Sequence, residues 1–232
     1  MIQACLNGDR QAAPGSPREL AADAARAVAA GAGALHVHAR APDGRDTLEP
    51  SLVAETVSAI RGTCPDTPLG LTTGLWAAAG DPALRLRRVR EWSVLPDYVS
   101  VNVSEPGFGE LCSLLAGRGV GLEAGVWSVA DAHDLSEGDA PLVRVLVEVG
   151  DGPGEPARAL EISEALVAAG VSARQLHHGE GLATWAVIDA AAERGHDVRV
   201  GLEDTTVLPD GSAARDNAEL VAEAVRRVGH GP

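Results

Sequence analysis

Lysine is missing altogether: every one of the 19 basic side chains in this 232-residue chain is arginine. That removes Schiff-base catalysis, a carbamylated lysine bridging two metals and the lysine of a phosphate-binding loop. Cysteine is scarce, and Cys5, Cys64 and Cys112 form no C-x-x-C pair, so buried thiols in a reducing compartment are expected rather than a disulfide framework. Positive charge is in deficit, with a formal net charge of −14. An acidic chain speaks against a nucleic-acid surface, although a few local arginines suffice for an anionic small molecule. No apolar run approaches a membrane span, and Met1 to Gly8 lack the charged and apolar regions of a signal peptide. A cytoplasmic location is expected.

What the chain does contain is a regular alternation of short apolar segments and longer helical ones. Strands are expected at 2–7, 34–40, 69–73, 97–104, 120–127, 142–149, 175–179 and 197–203. Helices are expected at 17–30, 50–61, 82–91, 108–118, 156–169, 183–194 and 216–228, several of them opened by proline and closed by glycine. Residues 128–141 read as one short helix or a loop. Eight strands without an internal linker favour a single (β/α)₈ TIM barrel spanning 1–232. A doubly wound open sheet is the competitor, but Asn7-Gly8-Asp9-Arg10 is no dinucleotide fingerprint.

Within the second strand, His36 and His38 stand at i and i+2 in Leu35-His36-Val37-His38-Ala39-Arg40. Side chains so spaced share a face, and two imidazoles on one face are two legs of a metal site, with Zn²⁺ the first ion to consider. Strand eight reads Arg199-Val200-Gly201-Leu202-Glu203-Asp204. Period-two alternation puts Arg199, Gly201 and Glu203 on one face, with Gly201 leaving room for a ligand. Barrel closure brings that strand beside strand one, so Glu203 can complete a His₂Glu set with a coordination position left open, as in catalytic zinc sites. The competing readings are hydrogen-bonded histidines at the barrel mouth and an Arg199–Glu203 ion pair that only closes the barrel.

Other carboxyl-terminal strand ends are polar and supply candidate substrate contacts: Asn7, Arg10, Thr72, Thr73, Asn102, Ser104 and Glu105. Strand seven adds His177, His178 and Glu180. Adjacent strand residues face opposite ways, so at most one of the two histidines points inward; His177 and Glu180 join the candidate contacts. The run Arg85-Leu86-Arg87-Arg88-Val89-Arg90 reads as a solvated helix face rather than a phosphate site. Trp127 and Trp185 either wall the pocket or pack under loops.

Several of these segments, taken in order, resemble the β-keto acid cleavage enzymes: Leu35 to Arg40 followed by Asp43-Gly44-Arg45, then Leu71-Thr72-Thr73-Gly74, Val101-Asn102-Val103-Ser104, and Arg199 to Asp204 with Asp216-Asn217-Ala218-Glu219-Leu220-Val221. The resemblance implies an oligomeric (β/α)₈ barrel, a dimer or tetramer, with one zinc per chain held by His36, His38 and Glu203. It implies proton abstraction by Asp204 paired with Arg199, and a substrate contact at Thr72. The implied reaction joins the two-carbon end of a β-keto acid to the acetyl group of acetyl-CoA, giving acetoacetate and a new acyl-CoA. Three departures bear on the substrate. Arg10, beside Asp9, stands where the type member has a glutamate for the substrate's amino group; Glu105 replaces a hydroxyl; and His177-His178-Gly179-Glu180-Gly181 replaces an apolar strand end. Together they weigh against an amino-substituted substrate and toward an acidic, neutral or larger acyl chain. The alternatives are a zinc-dependent aldolase or hydrolase on the same fold and a non-catalytic metabolite-binding relative.

Overall fold

The computed structural model describes residues 1–8, 13–135 and 142–229. Eight parallel strands close into a barrel in sequence order: β1 (Ile2–Cys5), β2 (Ala34–Val37), β3 (Leu69–Thr72), β4 (Tyr98–Asn102), β5 (Gly121–Val126), β6 (Leu142–Val149), β7 (Gln175–Gly179) and β8 (Asp197–Val200). Helices α1 (Pro17–Ala29), α2 (Pro50–Thr63), α3 (Pro82–Arg90), α4 (Phe108–Ala116), α5 (Val129–Asp134), α6 (Glu155–Ala168), α7 (Thr184–Ala192) and α8 (Asn217–Val228) alternate with them. The chain is a (β/α)₈ barrel. The segment at 128–141 holds a short helix, α5, followed by residues 136–141 outside the described set. Among the described residues no helix is long and apolar enough to cross a membrane.

Local sequence sets the helix starts. Ser16 accepts from the Glu19 amide while the Glu19 carboxylate takes the Ser16 amide, a capping box ahead of α1. Asp81 and Asp216 cap α3 and α8 in the simpler way. The apolar core lies between strands and helices: Leu35, Val37, Leu69, Leu71, Val99, Val101, Val198 and Val200 point outward and are wholly or almost wholly buried. Inside the barrel the opposite strand faces are polar. Gln3 Nε2 donates to Tyr98 Oη at 2.9 Å and to Glu123 Oε2 at 2.7 Å, and Arg144 Nε stands 3.1 Å from the same carboxylate oxygen. These contacts pair most of the polar atoms at this depth, while Gln3 Oε1 and Arg144 Nε make no well-aligned hydrogen bond among the described residues.

Strands end earlier than expected at the mouth. β2 stops at Val37 and β8 at Val200; residues 201–204 form a turn in which the Asp204 and Thr205 amides both donate to the Gly201 carbonyl at 3.0 Å. Gly201 is needed there for backbone clearance, not ligand space: a Cβ would come within 1.9 Å of the Cys5 carbonyl oxygen. Asn217, the first residue of α8, pins the turn by accepting from the Leu202 amide at 2.7 Å and donating to the Leu6 carbonyl at 2.8 Å. These contacts account for a polar residue buried at the start of an otherwise amphipathic helix.

Candidate functional site

A cavity of about 260 Å³ opens at the carboxyl ends of the strands, where barrels of this type carry their sites. His36 and His38 enter it from β2 and the residue just beyond, and Glu203 enters from the turn after β8. Glu203 Oε1 lies 3.3 Å from His38 Nε2 and Glu203 Oε2 lies 3.8 Å from His36 Nε2. The three ligand atoms fall within 4.8 Å of one another. Gly8, with φ of +51°, passes directly over the glutamate, and a Cβ there would meet Glu203 Cγ at 2.4 Å.

Outer contacts fix which nitrogen each ring presents. Asp46 Oδ2 sits 2.6 Å from His38 Nδ1 and also accepts from Trp76 Nε1 at 2.9 Å. A carboxylate only accepts, so Nδ1 carries the hydrogen and the Nε2 lone pair faces Glu203. Ser100 spends its single hydrogen on Glu123 Oε1 at 2.6 Å, which leaves its lone pair for His36 Nδ1 at 3.3 Å. His36 therefore presents Nε2 as well. Two imidazole lone pairs and a carboxylate converging in this way fit a divalent zinc-like ion, and the outer carboxylate–histidine pairing is the usual support of such a site.

The charges agree with that fit. Burial holds the His36 imidazole well below its ordinary range, with Arg199 and His38 adding to the effect against the pull of Glu203. Burial works against charge on His38 too, but Glu203 and Asp46 push it up to about 9. The Glu203 carboxylate is held well below its usual range, burial being outweighed by Arg199 and the two histidines. A cation in place of the proton on His38 would meet the same negative field.

Beside the donor set lies a buried ion pair. Arg199 Nη2 donates to Glu203 Oε1 at 2.5 Å and to Asp204 Oδ1 at 3.0 Å. His178 Nδ1 stands 3.3 Å from the same Asp204 oxygen, and Cys5 Sγ donates to Asp204 Oδ2 at 2.9 Å. Despite burial, Arg199 and His178 hold the Asp204 carboxyl at about 2. Glu203 and Asp204 are adjacent, and on a strand they would face opposite ways. Both reach the cavity because the chain has already left the strand at Gly201.

The remaining candidates divide. Thr72, Asn102 and Glu180 line the cavity. Asn7 does not: its amide pairs with the His38 backbone, donating to the carbonyl and accepting from the N–H, each at 2.9 Å. Thr73 donates to the Ser100 carbonyl at 2.6 Å and is buried away from the cavity. Glu105 is held by buried Arg85 and by the Leu75 amide, so it braces a loop, and Arg85 leaves the solvated face expected for the arginine run. Ser104 is exposed on the turn after β4.

On β7 the strand phase selects His178 and turns His177 outward. There His177 meets Gln175 Oε1 at 2.9 Å and stacks on His196 at 4.6 Å. Arg10 lies outside the described residues. Trp127 walls the cavity, whereas Trp185 is buried and donates to the Val207 carbonyl. Asp46, Ser100 and Trp76 were not legible as site residues, since each acts through a contact between separate strands or loops. The Asp43-Gly44-Arg45-Asp46 segment carried a turn signal, a part of the family resemblance and Arg45 as a possible anion contact, but nothing that marked Asp46.

The model of the β-keto acid cleavage enzyme family matches residues 1–137 and 132–230. The 3-keto-5-aminohexanoate cleavage enzyme of Fusobacterium nucleatum subsp. nucleatum is 26% identical over 240 residues, covering 93% of this chain and 84% of the relative. Among solved structures, the ternary complex of ObcA with a C4-CoA adduct and oxalate superposes with a TM-score of 0.73 at 16% identity, over 93% of this chain and 63% of ObcA. The binary complex of ObcA with oxaloacetate gives 0.68 at 17%, over 90% and 62%. The chain thus spans less than two thirds of the ObcA chains. The 3-dehydroquinate dehydratase of Aquifex aeolicus VF5 gives 0.63 at 16% over 98% and 96%; at such identities the likeness is one of fold. The family model runs through both halves of the barrel, taking in the β2 histidines and the turn after β8, and the chain belongs to the β-keto acid cleavage enzyme family.

Proposed function

We propose that this chain is a zinc-dependent β-keto acid cleavage enzyme with acetyl-CoA as co-substrate, converting a β-keto acid and acetyl-CoA into acetoacetate and a new acyl-CoA. One observation carries the reading: the His36, His38 and Glu203 donor set and the Arg199–Asp204 ion pair open into one cavity. His36, His38 and Glu203 would hold the zinc ion, which when bound would supply Lewis-acid stabilisation of the negative charge that develops when carbon two loses its proton. Asp204 takes that proton, and Arg199 orients the carboxylate and keeps it ionised between turnovers. Thr72 accepts from the Gly74 amide at 3.2 Å, which leaves its own hydrogen to donate to a substrate oxygen. Asn102 and Glu180 face the same space. No step calls for lysine.

The ObcA complexes hold oxaloacetate in one case and a C4-CoA adduct in another, which supports a keto acid and a CoA thioester as the ligand pair. The unpaired, buried cysteines support a cytoplasmic location, and a homo-oligomer belongs to the same reading.

The test is to incubate purified protein with a β-keto acid, with and without acetyl-CoA, before and after chelation. Acetoacetate formed only with acetyl-CoA, lost on chelation and restored by zinc, is expected. Cleavage that proceeds equally without acetyl-CoA would replace this reading with an aldolase.

A further inference from the structure

Trp76 stands at the edge of the cavity with its ring 6.2 Å from that of His38, yet 54% of the residue is exposed. The ring is fixed on two sides. Its Nε1 donates to Asp46 Oδ2 at 2.9 Å, and its six-membered ring is set against Gly74, where a Cβ would come within 2.1 to 2.4 Å of three of its carbons. Gly74 thus leaves the space the ring occupies, and the indole offers an open apolar surface in a set orientation.

Trp76 is also a boundary. Beyond it runs a groove of about 930 Å³, lined by residues 40–47 with Trp76, Ala77 and Ala79. Asp46 and Trp76 line both this groove and the cavity of about 260 Å³ that holds the donor set, so the two spaces meet at this pair. Another groove, lined by Arg26, Arg40 and Arg215 among others, shares no described residue with the cavity.

Asp46 adds an independent observation. Its Oδ2 is taken by His38 and Trp76, but Oδ1 is buried without a hydrogen-bond partner among the described residues, in a side chain only 5% exposed. A carboxylate oxygen in that state favours a ligand that brings an N–H. The groove itself is mixed in charge, Arg40 and Arg45 against Asp43 and Asp46, which suits an uncharged chain better than an anion.

Sites for drug-sized ligands span roughly 300 to 1,000 Å³, so the cavity has room for a short keto acid and a thioester head but not for the long arm behind the sulfur. That arm is neutral, carries secondary amides and a geminal dimethyl group, and must leave across the rim. We propose that acetyl-CoA enters over the loop after β2, its amide-bearing arm laid across the exposed surface of Trp76 with an amide N–H donated to Asp46 Oδ1. Trp76 is then a binding residue for the thioester and not for the keto acid. This rests on the β-keto acid cleavage reading, which names the co-substrate and leaves the path of its arm open. The nucleotide end lies a full arm's length from the sulfur, too far to rest on a ring that lines the cavity.

The experiment uses the protein as isolated with its metal, a saturating β-keto acid and three acetyl donors: acetyl-CoA, S-acetylpantetheine and S-methyl thioacetate. Trp76→Ala is expected to lower kcat/KM for the first two alike, by about 10- to 100-fold relative to S-methyl thioacetate and mainly through KM. Trp76→Phe, which keeps an aromatic surface, is expected to recover most of that loss. A damaged metal site would lower all three donors equally, and that result overturns the inference while the cleavage reading stands. A loss confined to acetyl-CoA overturns it too, because the ring would then serve the nucleotide end. Titrating acetyl-CoA into the protein without keto acid is expected to change a component of the tryptophan fluorescence that is missing from Trp76→Phe. If no donor yields acetoacetate, the cleavage reading fails and this titration still decides the inference: a signal identical in the parent and in Trp76→Phe overturns it.

Discussion

Asp46 Oδ2 and His38 Nδ1 stand 2.6 Å apart, and this contact, made between residues eight positions apart in sequence, aims the imidazole Nε2 at Glu203. Outer carboxylates of this kind both orient a ligating ring and raise its basicity. Asp46→Asn keeps the shape but weakens both effects. Metal affinity, measured by competition with a calibrated chelator, is expected to fall about 10- to 100-fold. An unchanged affinity would show that His38 is oriented by packing alone.

Asp204 is separable from metal retention. Asp204→Asn leaves the His36, His38 and Glu203 ligand atoms in place, so bound metal measured by elemental analysis should match the parent protein. Turnover should fall about 10²- to 10⁴-fold, the usual contribution of a positioned base. Loss of deuterium uptake at carbon two of the β-keto acid in heavy water would locate the defect in proton abstraction. Turnover within a few-fold of the parent would remove Asp204 from that role.

At Gly201 the backbone of the turn touches β1 so closely that any side chain must collide with the Cys5 carbonyl. Gly201→Ala is expected to cost about 3 kcal/mol or more, because the clash is with backbone and cannot be relieved by a rotamer change. In a chain of this size that corresponds to a loss of roughly 6–12 °C in Tm. The metal should be lost with it, since Glu203 hangs from the same turn. A variant that melts within about 2 °C of the parent would contradict the reading.

His177 gives the stability a pH dependence apart from the site. Burial, with His196, His178 and Arg194 nearby, holds its imidazole down to about 3, against an ordinary value near 6.5. The folded protein keeps His177 neutral where the unfolded chain binds a proton, so this contribution makes stability fall as pH drops from about 6.5 toward 3. The slope from one such group is at most about 1.4 kcal/mol per pH unit. His177→Gln should flatten the denaturant midpoint between pH 6 and pH 4.5 relative to the parent. An identical pH profile in the variant would show that His177 already titrates normally.

Sequence made the candidate donor set legible because two histidines at i and i+2 on an apolar strand share a face whatever surrounds them. Barrel closure then brought Glu203 within reach, although it was expected on a strand and in fact hangs from a turn. The same misplacement hid why Glu203 and Asp204 can serve one cavity. His177 and His178 were undecidable because two adjacent polar residues give no phase; the apolar neighbours of a strand supply that only when one face is clearly greasy. Asn7, Thr73 and Glu105 looked like substrate contacts because strand ends are where such contacts occur. All three are consumed by backbone or arginine partners that only the folded chain brings near. Asp46 and Ser100 were invisible for the converse reason, since their partners lie on other strands or across a loop.

His178, lodged between Asp204 and Glu148, also divides the barrel into two territories. The candidate donor set and its supports come from β2, the loop after it, β4 and the turn after β8; the facing wall comes from β5, β6 and β7. Side chains on that wall meet the donor-set side of the cavity through this imidazole, which holds Asp204 and Glu148 apart. One ring is thus the seam through which a change on the facing wall would reach the Arg199–Asp204 pair.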